Sequence, residues 1–201
     1  MRWGNRGLTL TELLVSTALI GIITLGVVAF SISMKGIQES TNKTTLLNMQ
    51  VIAVMTNIKR DAFLAVGNQA DPGILVEFST PANNNWIAFR QDQNVPPTPA
   101  DFSDDVWVIY IRDLTADTLR TCTKTSAPTS AASILDSSCS AANALELSSH
   151  IENVMFELIT AGRFNVDIMV QVRFTPGTVV NPIDNPEYIL SDQISPPGHN
   201  W

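Results

Sequence analysis

Histidine is nearly absent from this 201-residue chain, occurring only at His150 and His199, and cysteine occurs only at Cys122 and Cys139. No H-E-x-x-H, no G-x-S-x-G elbow and no phosphate-cradling glycine loop is present. Those short patterns carry metalloprotease, acyl-transfer and nucleotide chemistry. Paired carboxylates of the glycosidase kind meet only in a fold, so a membrane-tethered enzyme stays as a rival, but the missing motifs lead us to expect no enzyme and no cofactor. Excess positive charge is also lacking, with 12 Lys and Arg against 19 Asp and Glu and a net charge of −7. Without a global positive field, general nucleic-acid binding is not expected. The length suits one modest domain plus an anchor.

Two further absences shape the N-terminal third: no proline precedes Pro72, and no charge occurs in the 22 residues from Leu13 to Met34. At about 1.5 Å per residue such a helix spans roughly 33 Å, enough to cross the hydrocarbon of a bilayer. A cleaved secretory signal has a shorter apolar core, about 7 to 15 residues. Arg2 and Arg6 precede the run, which by the positive-inside rule holds the N-terminus in the cytoplasm and exports everything after Lys35. One acid, Glu12, stands at the start of the run. Placing a carboxylate in a membrane helix costs on the order of 2.5 to 3.5 kcal/mol at mid-helix, and such residues are functional by default.

The stretch Gly7-Leu8-Thr9-Leu10-Thr11-Glu12-Leu13-Leu14-Val15 resembles the class III leader junction of type IV pilins and type II secretion pseudopilins. The resemblance implies that a prepilin peptidase cuts after Gly7 and N-methylates Leu8, so that Glu12 becomes the fifth residue of the mature chain. It also implies that Glu12 neutralises the terminal ammonium of a neighbouring subunit. Two unit charges about 4 Å apart attract by roughly 4 kcal/mol at an effective dielectric near 20, comparable with the cost of burial. Leu8 stands where the family usually has phenylalanine and Thr11 where it has an aliphatic residue. The resemblance covers about thirty residues and implies a home in a bacterial inner membrane, with other pilins or pseudopilins, an assembly platform and the lipid bilayer as partners.

Past Lys35, Leu47, Val51, Val54, Met55, Ile58 and Ala62 recur at spacings of three and four, with Asn48, Gln50, Asn57 and Lys59 elsewhere. That is one apolar stripe on a continuing helix, interrupted only by Gly21, Gly26 and Gly36, where family filaments bend or melt. After Gly67 short β-type runs follow: ILVEF from Ile74, WIAFR from Trp86, VWVIYIR from Val106 and VMFELI from Val154, separated by turn-forming residues. In NVDIMVQVRF, Val166, Ile168, Val170, Val172 and Phe174 alternate with polar or charged neighbours and Met169, the pattern of a half-buried strand. Gly162 lies in the short link before it, so a hairpin is the economical connection. The expected fold is α+β, a long N-terminal helix on an antiparallel sheet. The expected segments are a leader at 1–7, an assembly helix at 8–34, its amphipathic half at 35–66 and a head at 67–201.

Cys122 and Cys139 bracket the Ser/Ala/Thr-rich stretch TKTSAPTSAASILDSS. A disulfide would close this floppy loop and stabilise the fold by about 3 kcal/mol in an oxidising compartment. His150 and His199 offer no metal-ligand spacing with these cysteines, and no metal is expected. Asp101, Asp104 and Asp105 are weak calcium candidates without the full loop spacing. Asn42-Lys43-Thr44 matches a glycosylation sequon, a weak pattern in a helix. Beyond Phe174 come five prolines, with PEYILSDQ among them, and this tail is expected to wrap the head or lie loose rather than form a central strand, with Tyr188 and Trp201 as contact points. The function expected from the resemblance is that of a minor type IV pilin that primes or joins a pilus. The alternatives are a minor pseudopilin of a type II secretion system and a tip adhesin or ligand-binding module.

Overall fold

The computed structural model describes residues 9–68, 70–77, 85–94, 98, 101–135, 139–140, 144–159 and 165–196. In chain order the described elements are α1 (Leu10–Phe63), β1 (Ile74–Glu77), β2 (Trp86–Gln91), β3 (Val106–Asp113), β4 (Thr118–Lys124), α2 (Ala131–Leu135), β5 (Leu145–Ser148), β6 (Ile151–Ile159), β7 (Asn165–Arg173) and β8 (Glu187–Ile194). The chain divides into two compact units, Met1–Asn42 and Lys43–Trp201.

The first unit is helical from Leu10 onward. No proline interrupts it, and the helix continues through Gly21, Gly26 and Gly36. Its hydroxyl side chains satisfy themselves locally: Ser16 donates to the carbonyl of Glu12 at 2.7 Å, Thr24 to that of Ile20 at 2.7 Å and Ser31 to that of Val27 at 2.8 Å. Back-bonding of this kind lets a polar side chain sit on an apolar helix without an unpaired donor.

In the second unit, the remainder of α1 buries the stripe read from the sequence: Leu47, Val51, Val54, Met55, Ile58 and Ala62 are all inaccessible or nearly so. The helix covers strands from two antiparallel sheets, one of order β1-β2-β3-β4-β5 and one of order β6-β7-β8. Ile87, Phe89, Val108 and Tyr110 of the first sheet and Val154, Phe156, Ile168, Val170 and Val172 of the second join the helix in one core. The alternation of β7 is borne out, with Val166, Ile168, Val170 and Val172 buried and the residues between them half-buried. Its hairpin with β6 is shown by the pairing of Ile159 with Asn165; Gly162 in the link lies outside the described residues.

The antiparallel sheet expected from sequence therefore resolves into two. The chain changes sheet at Ser149 and His150, between β5 and β6. The junction is closed by Ile151 N–H to the carbonyl of Asp117 at 3.2 Å and by the buried Asn85 Nδ2 donating to the carbonyl of Val154 at 2.7 Å.

The central strands β2 and β3 of the first sheet are buried on both sides, which explains why WIAFR and VWVIYIR are apolar without alternating. Trp86, Ala88, Trp107, Ile109 and Ile111 face away from α1 and form a second core with Ile134 of α2, Cys122 and Cys139. The cysteine-bounded stretch, expected to be floppy only if left unconstrained, contributes a short helix that roofs the back of the sheet. The proline-bounded tail also gains structure, since Glu187–Ile194 forms an eight-residue strand paired with β7. Pro186 and Pro196 flank this strand rather than interrupt it, and β8 lies at the sheet edge, where such neighbours are tolerated.

One polar pair lies inside the main core: the Tyr110 hydroxyl donates to Asp61 Oδ2 at 2.5 Å. Burial, followed by Asp61 itself, pushes the phenol well above its ordinary pKa, so the proton stays on tyrosine. Tyr110→Phe keeps the ring and strands a buried carboxylate oxygen. It is expected to cost about 1–3 kcal/mol, read as a lower denaturant midpoint for the full chain in detergent. An unchanged midpoint would show that Asp61 reaches water.

Candidate functional site

Of the residues carrying the leader resemblance, Gly7 and Leu8 lie outside the described residues; Glu12 is described. Thr9 is the residue before α1 and Glu12 the third within it, and the two bond reciprocally. Glu12 N–H donates to Thr9 Oγ1 at 3.3 Å, while Glu12 Oε2 accepts from Thr9 N–H at 3.1 Å and from Thr9 Oγ1–H at 3.0 Å. This is a capping box, T-x-x-E, which satisfies two of the orphan donors at a helix start. The sequence reading gave Glu12 no partner within its own chain, whereas the structure gives it Thr9. The T-x-x-E spacing ahead of an apolar run carries the signal for that pairing.

From Leu10 to Met34 the large apolar side chains of α1 are at least half exposed. An 18-residue window of this helix is apolar enough to cross a membrane and none of it is buried within the protein. The helix is therefore a candidate single membrane span. Between Lys43 and Phe63 the buried stripe has a counterpart that sequence reasoning missed. Leu46, Met49, Ile52, Ala53, Thr56 and Phe63 are exposed on the opposite arc of the helix, with Arg60 its one charge. Their spacings of three and four were visible, but the stronger stripe claimed the sequence signal.

Cys122 and Cys139 form a disulfide, with Cα atoms 5.4 Å apart and a sequence separation of 17. Both cysteines are buried in the back core beside Ile134. Glu77 braces the same lid, since its Oε2 accepts from the Trp86 indole N–H and from Ala131 N–H. Closing a loop of this size stabilises by about 3 kcal/mol. Cys122→Ser with Cys139→Ser is expected to lower the unfolding free energy by that amount and to expose the α2 lid to protease. Equal stability of the double variant and the parent would show that α2 holds by packing alone.

Asp101, Asp104 and Asp105, the weak calcium candidates, belong to the segment before β3. Among the described residues no three His, Cys, Asp or Glu side chains are grouped so as to hold a metal ion. Asp101 instead accepts from Ser103 N–H at 3.0 Å and from its hydroxyl at 2.6 Å, and Asp104 accepts from Asn94 Nδ2 at 2.5 Å. Asp105 differs, since it is buried and neither carboxylate oxygen accepts a hydrogen bond from a described residue. Arg90 Nε lies 3.7 Å away, and its guanidinium sits over the Phe102 ring, 3.8 Å from the centroid.

Burial, then the charge of Asp92, pushes the Asp105 carboxyl above its usual range, and Arg90 offsets only part of this. A raised folded pKa favours the protonated fold. The contribution is fully present below the unfolded value near 3.9 and is lost as pH rises through the folded one. Asp105→Asn, which mimics the neutral acid, is expected to unfold at a higher midpoint than the parent at pH 7, with the gap closing toward pH 4. A lower midpoint for Asp105→Asn than for the parent at pH 7 would show that the ion pair with Arg90 dominates.

A cleft of about 340 Å³ beside the end of α1 is lined by Asn57, Arg60, Asp61, Gln91 and Tyr110, among others. Three of these residues bond to each other: Arg60 Nε donates to Asp61 Oδ1 at 3.0 Å and Gln91 Nε2 to the Asp61 carbonyl at 3.3 Å. With the Tyr110 bond, both oxygens of the Asp61 carboxylate are engaged. Of the remaining sequence candidates, Tyr188 lies on β8 half-buried against the main core, and His199 and Trp201 lie outside the described residues. The chain matches no protein-family model, no curated protein and no solved structure.

Proposed function

We propose that the protein is a pilin-like structural subunit, held in a bacterial inner membrane by α1 and then drawn into a filament by contacts between helices of neighbouring subunits. The observation that carries this reading is the double apolar character of α1. One stripe is used inside the head, while Leu46, Met49, Ile52, Ala53 and Phe63, with Thr56 and the single charge of Arg60 among them, form a second, outward apolar stripe beyond the polar segment 35–45. A helix serving only as a tether would be expected to turn a polar face to water beyond the bilayer. A helix that packs against its copies needs this second stripe.

In this reading a prepilin peptidase cuts after Gly7, the new terminus at Leu8 is N-methylated, and the head, carrying the disulfide, lies in the periplasm. Glu12 then has two tasks. Within its own chain it caps the helix with Thr9, and during assembly its charge meets the terminal ammonium of a neighbour, partly repaying the cost of placing it at the membrane edge. A minor pilin is the first choice and a minor pseudopilin its rival. Loss of pili on deletion favours the former, and loss of secreted enzymes with intact pili favours the latter. A head that binds glycan or host protein, with assembly unaffected by its removal, would favour a tip adhesin.

Mass spectrometry of the membrane-extracted chain is expected to show an N-terminus at Leu8; an intact Met1 would sink the pilin reading. The two tasks of Glu12 separate by substitution, because glutamine still serves in a capping box. Glu12→Gln is expected to be cleaved, inserted and helical but nearly absent from filaments, whereas Thr9→Ala loses only about 1 kcal/mol of capping and still assembles. Normal incorporation of Glu12→Gln together with failure of Thr9→Ala would assign Glu12 to capping alone. Ile52→Asp, on the outward stripe, is expected to fold and insert yet fail to assemble.

A further inference from the structure

The loop between β7 and β8 is braced like a core element and tipped like an apolar one. Its base is held by Arg173, whose Nη1 donates to Glu152 Oε1 at 2.8 Å and to the carbonyl of Thr178 at 2.7 Å, and whose Nε donates to Glu187 Oε2 at 3.0 Å. The backbone N–H of Gly177, at φ 73°, reaches Glu152 Oε2 at 2.8 Å; this conformation suits glycine. Buried Asn185 then ties the loop across its width. Its Oδ1 accepts from Thr175 N–H at 2.7 Å, and its Nδ2 donates to Thr178 Oγ1 at 2.7 Å and to the carbonyl of Val179 at 3.1 Å. Asn181 and Asn185 exchange backbone bonds at 3.0 and 2.8 Å.

Upon this frame Val179 is 89% exposed, Val180 45% and Ile183 61%. Turn tips in water are ordinarily polar, and an ordered loop that presents three aliphatic side chains within five residues is built for an apolar medium. We infer that this tip dips into the lipid interface of the membrane that holds the protein's own helix.

Two observations favour lipid as the occupant. The first is reach. The loop packs on Lys43, whose Nζ donates to the carbonyl of Asp184 at 3.3 Å and lies 5.1 Å from the Phe174 ring centroid. Lys43 follows the last residue of the uncharged run, Met34, by nine positions. Nine residues span at most about 32 Å even fully extended, so the tether keeps the bilayer at high effective concentration around the loop. The second is charge. Between Thr175 and Asn185 the only charged residue is Asp184, and its carboxylate accepts from Asn181 Nδ2 at 3.3 Å. The tip therefore suits a zwitterionic interface, entered through its apolar area rather than through attraction to anionic lipid. The inference rests on the membrane span alone and not on the filament reading.

The test uses the full chain in phosphatidylcholine vesicles, with a nitroxide at Val179→Cys and a reference nitroxide at Gln193→Cys, an exposed position on β8. Collisions with oxygen and with a water-soluble nickel chelate are measured. Position 179 is expected to show several-fold fewer nickel collisions than 193 and more oxygen collisions, unchanged by salt. Adding Ile183→Asp is expected to restore nickel access at 179 while the chain still floats with the vesicles. Equal nickel access at the two positions overturns the inference. So does exclusion of both reagents at 179, which would mark a protein contact such as a second copy. A chain that does not float with the vesicles removes the span itself, and the inference with it.

Discussion

Burial of one face of α1 is the constraint on which the head depends. Leu47, Val51, Val54, Ile58 and Ala62 lie beneath strands of both sheets, and large aliphatic side chains buried this fully contribute about 1.5–3 kcal/mol each. The two sheets share this wall, so their strands need not pair along a common edge. Each sheet alone would leave an apolar face open to water. The polar contacts at their junction, through Asn85, Arg112 and Asp117, satisfy backbone groups where the chain changes sheet and would not hold the sheets together without the helix.

The same helix supplies surface for use outside the subunit. Its first half exposes apolar residues on all sides, and in its second half the outward stripe remains exposed after the inward one is buried. Stability and assembly therefore draw on opposite faces of one element. A substitution on the inner face is felt by the fold, and one on the outer face by whatever packs against it. The back of the first sheet is handled differently. There the chain folds a disulfide-closed segment over Trp86, Trp107 and Ile109, so the central strands are covered on both sides and need no partner.

Much of this was legible in the residues. The buried stripe of α1 and the alternation in β7 rest on periods of 3.6 and 2, which local sequence records directly, and the strands at Ile74, Trp86, Val106 and Val154 rest on short apolar runs bounded by turn-forming residues. β4, β5 and α2 were not anticipated. Thr118–Lys124 carries polar or charged residues at five of its seven positions, and Ala131–Leu135 is a single turn of helix whose order comes from burying Ile134. Strand β8 was hidden by the prolines around it, because proline reads as a breaker whether it stands inside an element or at its ends.

The sequence by itself determined the apolar helix without charge or proline, the acid at its start, the inner stripe and the α+β class, since each is a matter of composition and spacing along a continuous segment. Only the tertiary structure decided that there are two sheets, that the cysteine-bounded stretch is a lid with its own core, that the buried Asp105 carboxylate accepts no hydrogen bond from a described residue, and that Val179, Val180 and Ile183 are exposed on a braced loop. The physical reason is the same in each case. Whether an apolar or charged side chain is covered depends on residues a hundred positions away, and no local period encodes that.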